Sequence, residues 1–301
     1  MRILFSGLPY FGKKLVQDLN AIDPSNTYVF CDTYYSFKGK IRFLILLPFA
    51  SRVVSFNGVA SKSGSLNMTL FFRKKLIMQW HGSDVITLKE LLKKNQAELK
   101  YLKKACSYTD AVWLKEELAE LGVSAEILHF KHAGSISSGQ KFSTMDVVTY
   151  LAEDNEMFYG IQQIEILAAA FPELKFHVVG SSGKKLRTSS NIIFYGWIDR
   201  SKMEELLNTH PIFIRLTNHD GYSLSILEAI ANGNYVLWNN PHPCVAYVKE
   251  DSDLLPVFRT LKEQVECNLK ERLQSNIEWA HTNLNKSRIL ENYIAQITKA
   301  D

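Results

Sequence analysis

Short runs rich in β-branched and aromatic residues alternate with helix-period segments along this chain, and the alternation breaks once and then restarts. RILFSG at 2–7, TYVFCD at 27–32, RVVSFNG at 52–58 and LIMQW at 76–80 read as strands. Helices are expected near Gly12 to Leu19, in the region Phe37 to Ala50, and over SKSGSLNMTLFFRKK at 61–75. A charged helical region follows LIMQW, and AVWL at 111–114 and AEIL at 125–128 are expected as short strands. Strands joined by helical crossovers run in the same direction, so this order demands a mostly parallel sheet with helices on its faces.

HAGSISSGQKFS, from His132 to Ser143, is turn-rich and poor in apolar residues, and it reads as an interdomain linker. Beyond it the rhythm resumes with DVVTYLA, a helix near Ile161 to Ala170, LKFHVVG, NIIFYGW, a helix at Arg200 to Asn208, PIFIRL, a helix at Ser223 to Asn232, and NYVLWN. The stretch from about Leu261 to Ala300 is helical by periodicity. A length of 301 residues exceeds one ordinary domain, so two doubly wound units are expected. The expected spans are 1–135, 136–284 and a terminal helix at 285–301. Ligands of such sheets bind beyond the carboxyl ends of the strands, which places the expected site in a cleft between the two.

Composition narrows the function classes. Hydrophobic residues at 46% and charged residues at 22% suit a globular protein rather than a disordered one. The net charge of +4 is spread along the chain, with local basic runs at Lys38 to Arg42, Arg73 to Lys75 and Lys93 to Lys104, so no nucleic-acid partner is expected. Cys31, Cys106, Cys244 and Cys267 are widely separated and lack zinc-type spacing, which predicts reduced thiols and no metal site. RILFSG, reached directly from Met1, is too short an apolar run to be a signal peptide, and a cytoplasmic location is expected. IRFLILLPFA at 41–50 is too short to cross a bilayer. With Lys38, Lys40 and Arg42 beside it, this run fits either a buried helix or one lying against the inner face of a membrane.

RLTNHDGYSLSILEAIANGNYVLWN, from Arg215 to Asn239, carries the most specific chemistry. A strand ends at a polar turn, Gly221 permits a sharp backbone, and Ser223 or Ser225 can cap a helix that buries Ile226, Leu227 and Ile230. The unpaired N–H groups and dipole of such a helix start suit an anion such as a diphosphate. Glu228, one to two turns on, can accept two hydrogen bonds from vicinal hydroxyls, and Asp220 can do the same for a sugar.

This segment resembles the E-x7-E region of retaining GT-B glycosyltransferases of the family 4 type, with Asp220 and Glu228 in the two acidic positions. FYGWIDRSKMEELL and WHGSDV, at Trp80 to Val85, extend the resemblance, and the loop SGLPYFG is similar to the family's glycine-containing loop after the first strand. The resemblance implies that Glu228 binds the nucleotide ribose, that Asp220 and His81 approach the donor sugar, and that Gly221, Tyr222, Ser223, Leu224 and Ser225 hold the diphosphate. Tyr195 and Trp197 would sit near the base, and Gly7 at the cleft.

Two departures stand out. The family usually has glutamate at the position of Asp220, and it usually places an Arg and a Lys where this chain reads YLAEDNEMFYGIQ, with Glu153, Asp154 and Glu156. Arg215, and Lys184 or Lys185 in VGSSGKK, are the candidate substitutes for the missing cations. VGSSGKK lacks the spacing of a nucleotide-triphosphate loop.

The resemblance therefore implies a GT-B hexosyltransferase with two Rossmann-like domains, a nucleoside diphosphate sugar as donor, a glycan or lipid-linked acceptor, and no cofactor or metal. A role in surface polysaccharide or glycolipid synthesis is the expectation. The rival expectations are a catalytically silent GT-B subunit that binds glycan or nucleotide, and a nucleotide-sugar epimerase.

Overall fold

A computed structural model describes residues 1–134 and 140–299. The expected domain boundary between 135 and 136 and the last two residues of the expected terminal helix lie outside the described residues. The chain divides into two compact units, one comprising Met1–Lys131, Asp220–Tyr222 and Lys286–Asp301, the other His132–His219 and Ser223–Asn285.

The first unit holds a parallel sheet of β1 (Arg2–Gly7), β2 (Thr27–Cys31), β3 (Arg52–Phe56), β4 (Lys75–Trp80), β5 (Ala105–Thr109) and β6 (Ala125–Ile127), in the order β2-β1-β3-β4-β5-β6. Its helices are α1 (Pro9–Ile22), α2 (Phe37–Leu46), α3 (Gly64–Phe71), α4 (Ser83–Lys93), α5 (Leu99–Leu102) and α6 (Val112–Glu120). Successive side chains of a strand point to opposite faces, and β1 shows the consequence. Ile3 and Phe5 pack with Leu15 and Leu19 of α1, whereas Leu4 packs with Phe43, Leu66 and Leu88 from α2, α3 and α4. Both faces are thereby buried, as an all-parallel sheet requires.

One expected strand is corrected. AVWL is the N-cap residue Ala111 and the start of α6, where Leu114 and Leu118 stand one turn apart in the core and Val112 faces out. The strand is ACSYT, whose Ser107 and Thr109 pair with Met78 and Trp80. Its small polar side chains conceal it, yet it is paired on both sides, by β4 and β6, and Ser107 Oγ accepts from the Trp80 indole at 3.3 Å.

The second unit repeats the plan with β7 (Val147–Tyr150), β8 (Phe176–Val179), β9 (Ile192–Phe194), β10 (Ile212–Arg215), β11 (Tyr235–Trp238) and β12 (Ala246–Tyr247), all parallel in the order β12-β11-β10-β7-β8-β9. Helices α7 (Ile161–Ala170), α8 (Arg200–Thr209), α9 (Leu224–Ala231), α10 (Leu254–Cys267) and α11 (Gln274–Asn283) cover it. Ile164, Leu167, Phe258 and Val265 bury Val147, Phe176, Ile214 and Leu237. Helix α10 reaches back to Leu254, earlier than the periodicity suggests, because Pro256 lies in its first turn, where no helical N–H bond is lost.

The last helix, α12 (Lys286–Thr298), belongs to the first unit, with Leu290, Tyr293 and Ile297 in the cluster built on α1 and β1. The Arg52 guanidinium donates to the carbonyls of Ile297, Thr298 and Lys299, and so satisfies the free end of that helix. Each sheet reverses its winding once, between β1 and β3 in the first unit and between β7 and β10 in the second. Ligand sites of doubly wound sheets lie at the carboxyl ends beside such reversals.

Candidate functional site

In the first unit the loop after β4 is organised by Asp84, which sits in the first turn of α4. Its carboxylate accepts from the backbone N–H groups of His81, Gly82, Val85 and, across the sheet top, Gly58 at 2.6 Å. Burial raises the pKa of Asp84, and those four N–H groups oppose the rise. The loop holds His81 with its ring between Phe56 and Phe130, at centroid distances of 4.6 and 5.2 Å. Both ring nitrogens are buried without a hydrogen-bond partner, and burial, aided by Lys131, holds the pKa well below 6.5. His81 is therefore a neutral imidazole with open donor and acceptor capacity. Gly7, at the end of β1, has φ +113° and abuts Phe56 and Asn57 too closely for any side chain.

The segment Asp220–Tyr222 is moored to this same unit. Trp113 Nε1 donates to the Asp220 carbonyl at 2.8 Å, the Tyr222 N–H donates to Asp110 at 3.3 Å, and Lys131 Nζ donates to the Tyr222 carbonyl at 2.6 Å. Lys131 and Asp110 themselves form a buried ion pair of 2.7 Å. Gly221 lies against the His81 carbonyl, so that a β-carbon there would collide with it. His81, Asp220, Gly221 and Tyr222, expected to act together, are thus brought together. Asp110, Trp113 and Lys131, which hold them, carry no local sequence signal.

In the second unit the winding reversal lies between Tyr150, at the end of β7, and Arg215, at the end of β10. The buried guanidinium of Arg215 lies over the rings of Tyr150 and Tyr159, at 5.8 and 5.5 Å. Two aromatic faces stabilise a cation there and fix its direction. Ser223 is the N-cap residue of α9, in keeping with the sequence, but neither serine caps through its side chain. Instead the Ser223 and Ser225 hydroxyls pair with each other at 3.0 Å. The first turn of α9, beginning at Leu224, thus receives no side-chain oxygen from its cap. Glu228 lines a cavity of about 160 Å³ together with Arg200, Met203, Glu204, Asn208 and Asn232.

The acids that replace the expected basic pair have structural partners. Glu153 accepts from the Ser182 hydroxyl at 2.8 Å and from its N–H, Glu156 accepts from Ser181 at 2.6 Å, and Asp154 pairs with Lys185. They latch the loop after β8 to the loop after β7. Lys184 is exposed on that latched loop, and the Trp197 side chain is also exposed. Tyr195 is tied by its hydroxyl to His177 Nδ1 at 2.9 Å.

Comparison with solved structures decides the architecture. HepE of Anabaena, in complex with UDP and glucose, superposes over 100% of both chains with a TM-score of 0.68 at 12% identity. The fold is GT-B. WaaG, a glycosyltransferase involved in lipopolysaccharide biosynthesis, shares this GT-B fold over 100% of both chains, with a TM-score of 0.63 and 12% identity. The lipopolysaccharide outer core galactosyltransferase WaaB shares it over 99% of both chains, with a TM-score of 0.61 and 12% identity. No protein-family model matches the chain, and no curated protein matches it by sequence.

Proposed function

We propose that this GT-B protein is a retaining, metal-independent glycosyltransferase that moves a sugar from a nucleoside diphosphate sugar to a glycan or lipid-linked acceptor. The observation that carries the reading is the β10-to-α9 connection, with Arg215 held between two tyrosines at the strand end and a helix start without a side-chain cap. A departing diphosphate needs compensating positive charge, and these two elements supply a full cation and a helix dipole. The structurally similar HepE, solved with UDP and glucose, supports a nucleotide-sugar partner. Glu228, in its cavity, is assigned to the ribose hydroxyls, and His81 and Asp220 to the donor sugar. The acceptor hydroxyl then attacks the anomeric carbon from the face the diphosphate leaves.

The acceptor is assigned to a cleft of about 470 Å³ in the first unit, where Phe43, Val59 and Met68 are joined by Lys40 and Lys62. Beside it, α2 exposes Phe37, Ile41, Leu44 and Ile45 at helical spacing, with Phe49 just beyond. Exposed Lys38, Lys40 and Arg42 accompany this stripe, so the occupant that matches it in polarity and charge is an anionic bilayer surface. Among the described residues no helix is long and apolar enough to cross a membrane. The location proposed, on the strength of the apolar stripe and its cations, is cytoplasmic at the inner face.

A second reading, a catalytically silent subunit, is favoured by one observation: Glu153, Asp154 and Glu156 stand where the family has cations. Release of nucleoside diphosphate from a panel of nucleoside diphosphate sugars separates the two. Release that falls in Arg215→Ala and Glu228→Ala supports the enzyme. Donor binding without release supports the silent subunit.

A further inference from the structure

We propose that Asp146, His177 and His210 form a binding site for a divalent metal ion of zinc type, separate from the donor site. The three residues are far apart in sequence and meet at the amino ends of neighbouring strands. Asp146 immediately precedes β7, His177 is the second residue of β8, and His210 lies two residues ahead of β10. Because β7 runs between β10 and β8, the three are adjacent at the end of the sheet opposite Arg215 and α9. One ligand atom from each lies within 4.8 Å of the other two.

The surroundings are those of a ligand set. His177 Nδ1 is paired with the Tyr195 hydroxyl at 2.9 Å, and His210 Nδ1 with the Thr144 hydroxyl at 2.7 Å. Metal-binding imidazoles are oriented in this way, with one nitrogen donating to an outer partner and the other directed to the ion. Thr144 Oγ1 also accepts the Asp146 N–H at 3.1 Å, so one hydroxyl positions two of the three groups. Asp146 Oδ1 is occupied by the Lys175 N–H at 3.0 Å, and Oδ2 faces His177 Nε2 at 3.6 Å. That nitrogen is buried without a hydrogen-bond partner, on a residue only 7% exposed. An unpaired buried ring nitrogen aimed at a carboxylate is the feature that a bound cation explains.

The geometry also says what binding must do. Donors around a tetrahedral zinc ion at about 2.0–2.1 Å are roughly 3.3–3.5 Å apart, close to the 3.6 Å of the Asp146–His177 edge. The imidazoles are stacked at 4.1 Å with an 18° tilt and the ligand atoms lie within 4.8 Å of one another, so the set must draw in around an ion, with His210 turning out of the stack. The mixed nitrogen and oxygen set, with no sulfur, suits zinc, cobalt or nickel better than calcium or magnesium. Water completes the fourth position. The ion would staple three central strands.

The test uses the full chain, stripped with a chelator and titrated with Zn²⁺ by calorimetry and with Co²⁺ by visible absorption. Expected are one tight equivalent, tetrahedral cobalt bands, and a thermal midpoint raised by excess Zn²⁺. Asp146→Asn keeps the Lys175 hydrogen bond and the side-chain volume, and should weaken binding at least about tenfold, as should His210→Ala. His281→Ala, at an exposed residue, should leave the titration unchanged. Absence of a one-equivalent event in the folded wild-type chain overturns the proposal. So does an event that persists at wild-type affinity in both Asp146→Asn and His210→Ala. Neither readout depends on sugar transfer.

Discussion

Lys131 and Asp110 form a buried ion pair, with 2.7 Å between Nζ and Oδ2, and the same two side chains bind the backbone of Tyr222 through its carbonyl and its N–H. Three residues that follow β10 in sequence are thereby fastened beside His81. Breaking one partner of such a pair strands a buried charge. Lys131→Met should destabilise the fold by about 3–5 kcal/mol, and adding Asp110→Asn should recover part of it. Urea unfolding measures both, and a single variant as stable as wild type would contradict the mooring.

Arg215 is predicted to act through its charge and its planar shape. Arg215→Ala should lower turnover by about 10²–10³, the usual cost of removing one group that stabilises developing charge. Arg215→Lys should recover little, because an ammonium does not stack between Tyr150 and Tyr159 as a guanidinium does. Steady-state release of nucleoside diphosphate checks this, and full activity in the lysine variant would refute the stacked role.

At Gly221 the backbone approaches the His81 carbonyl too closely for a side chain. Gly221→Ala should therefore push the two loops apart, costing about 1–3 kcal/mol in stability and raising KM for the donor more than it lowers binding of the acceptor. A thermal midpoint and donor KM both equal to wild type would rule out the close approach.

Stability should fall as pH drops below about 6.5. Burial holds the folded pKa of His81, His129 and His242 below 6.5, and for His242 at about 4. His242 Nδ1 also accepts the Cys244 N–H, which requires it to be unprotonated. Between pH 6.5 and 4 the unfolded chain binds more protons than the folded one, so this stability is full above 6.5 and is lost progressively toward 4. Urea midpoints at pH 7.5 and 5.5 should differ in that direction, and His242→Gln should shallow the slope. A midpoint that rises on acidification would be the opposite sign.

The apolar stripe of α2 should bind anionic vesicles at low salt and release them as salt rises. Replacing Ile41 and Ile45, both exposed, with Asp should abolish sedimentation with the vesicles while leaving the thermal midpoint within about a degree of wild type. Equal binding to neutral and anionic vesicles would remove the electrostatic part of the argument.

What was legible in the sequence was local. Apolar periodicity and turn residues marked most strands and helices, though not β5, β12 or α6, and the run Arg215 to Asn234 showed a strand, a glycine turn and a helix with Glu228 on it. AVWL misled because four consecutive apolar residues suit either period, and only the buried turn from Leu114 to Leu118 decides for a helix. The tertiary structure alone decided which distant groups meet. Lys131 reaches Tyr222 across 91 positions, and Asp146, His177 and His210 are gathered only because β7 lies between β8 and β10. Strand order places such groups, and strand order is a property of the whole packed sheet rather than of any window of sequence. The segment from Arg215 to Asn234 owed its helix start to the sequence, but the tyrosine pair that holds Arg215 and the anchors that hold Asp220 to Tyr222 exist only once both sheets are wound.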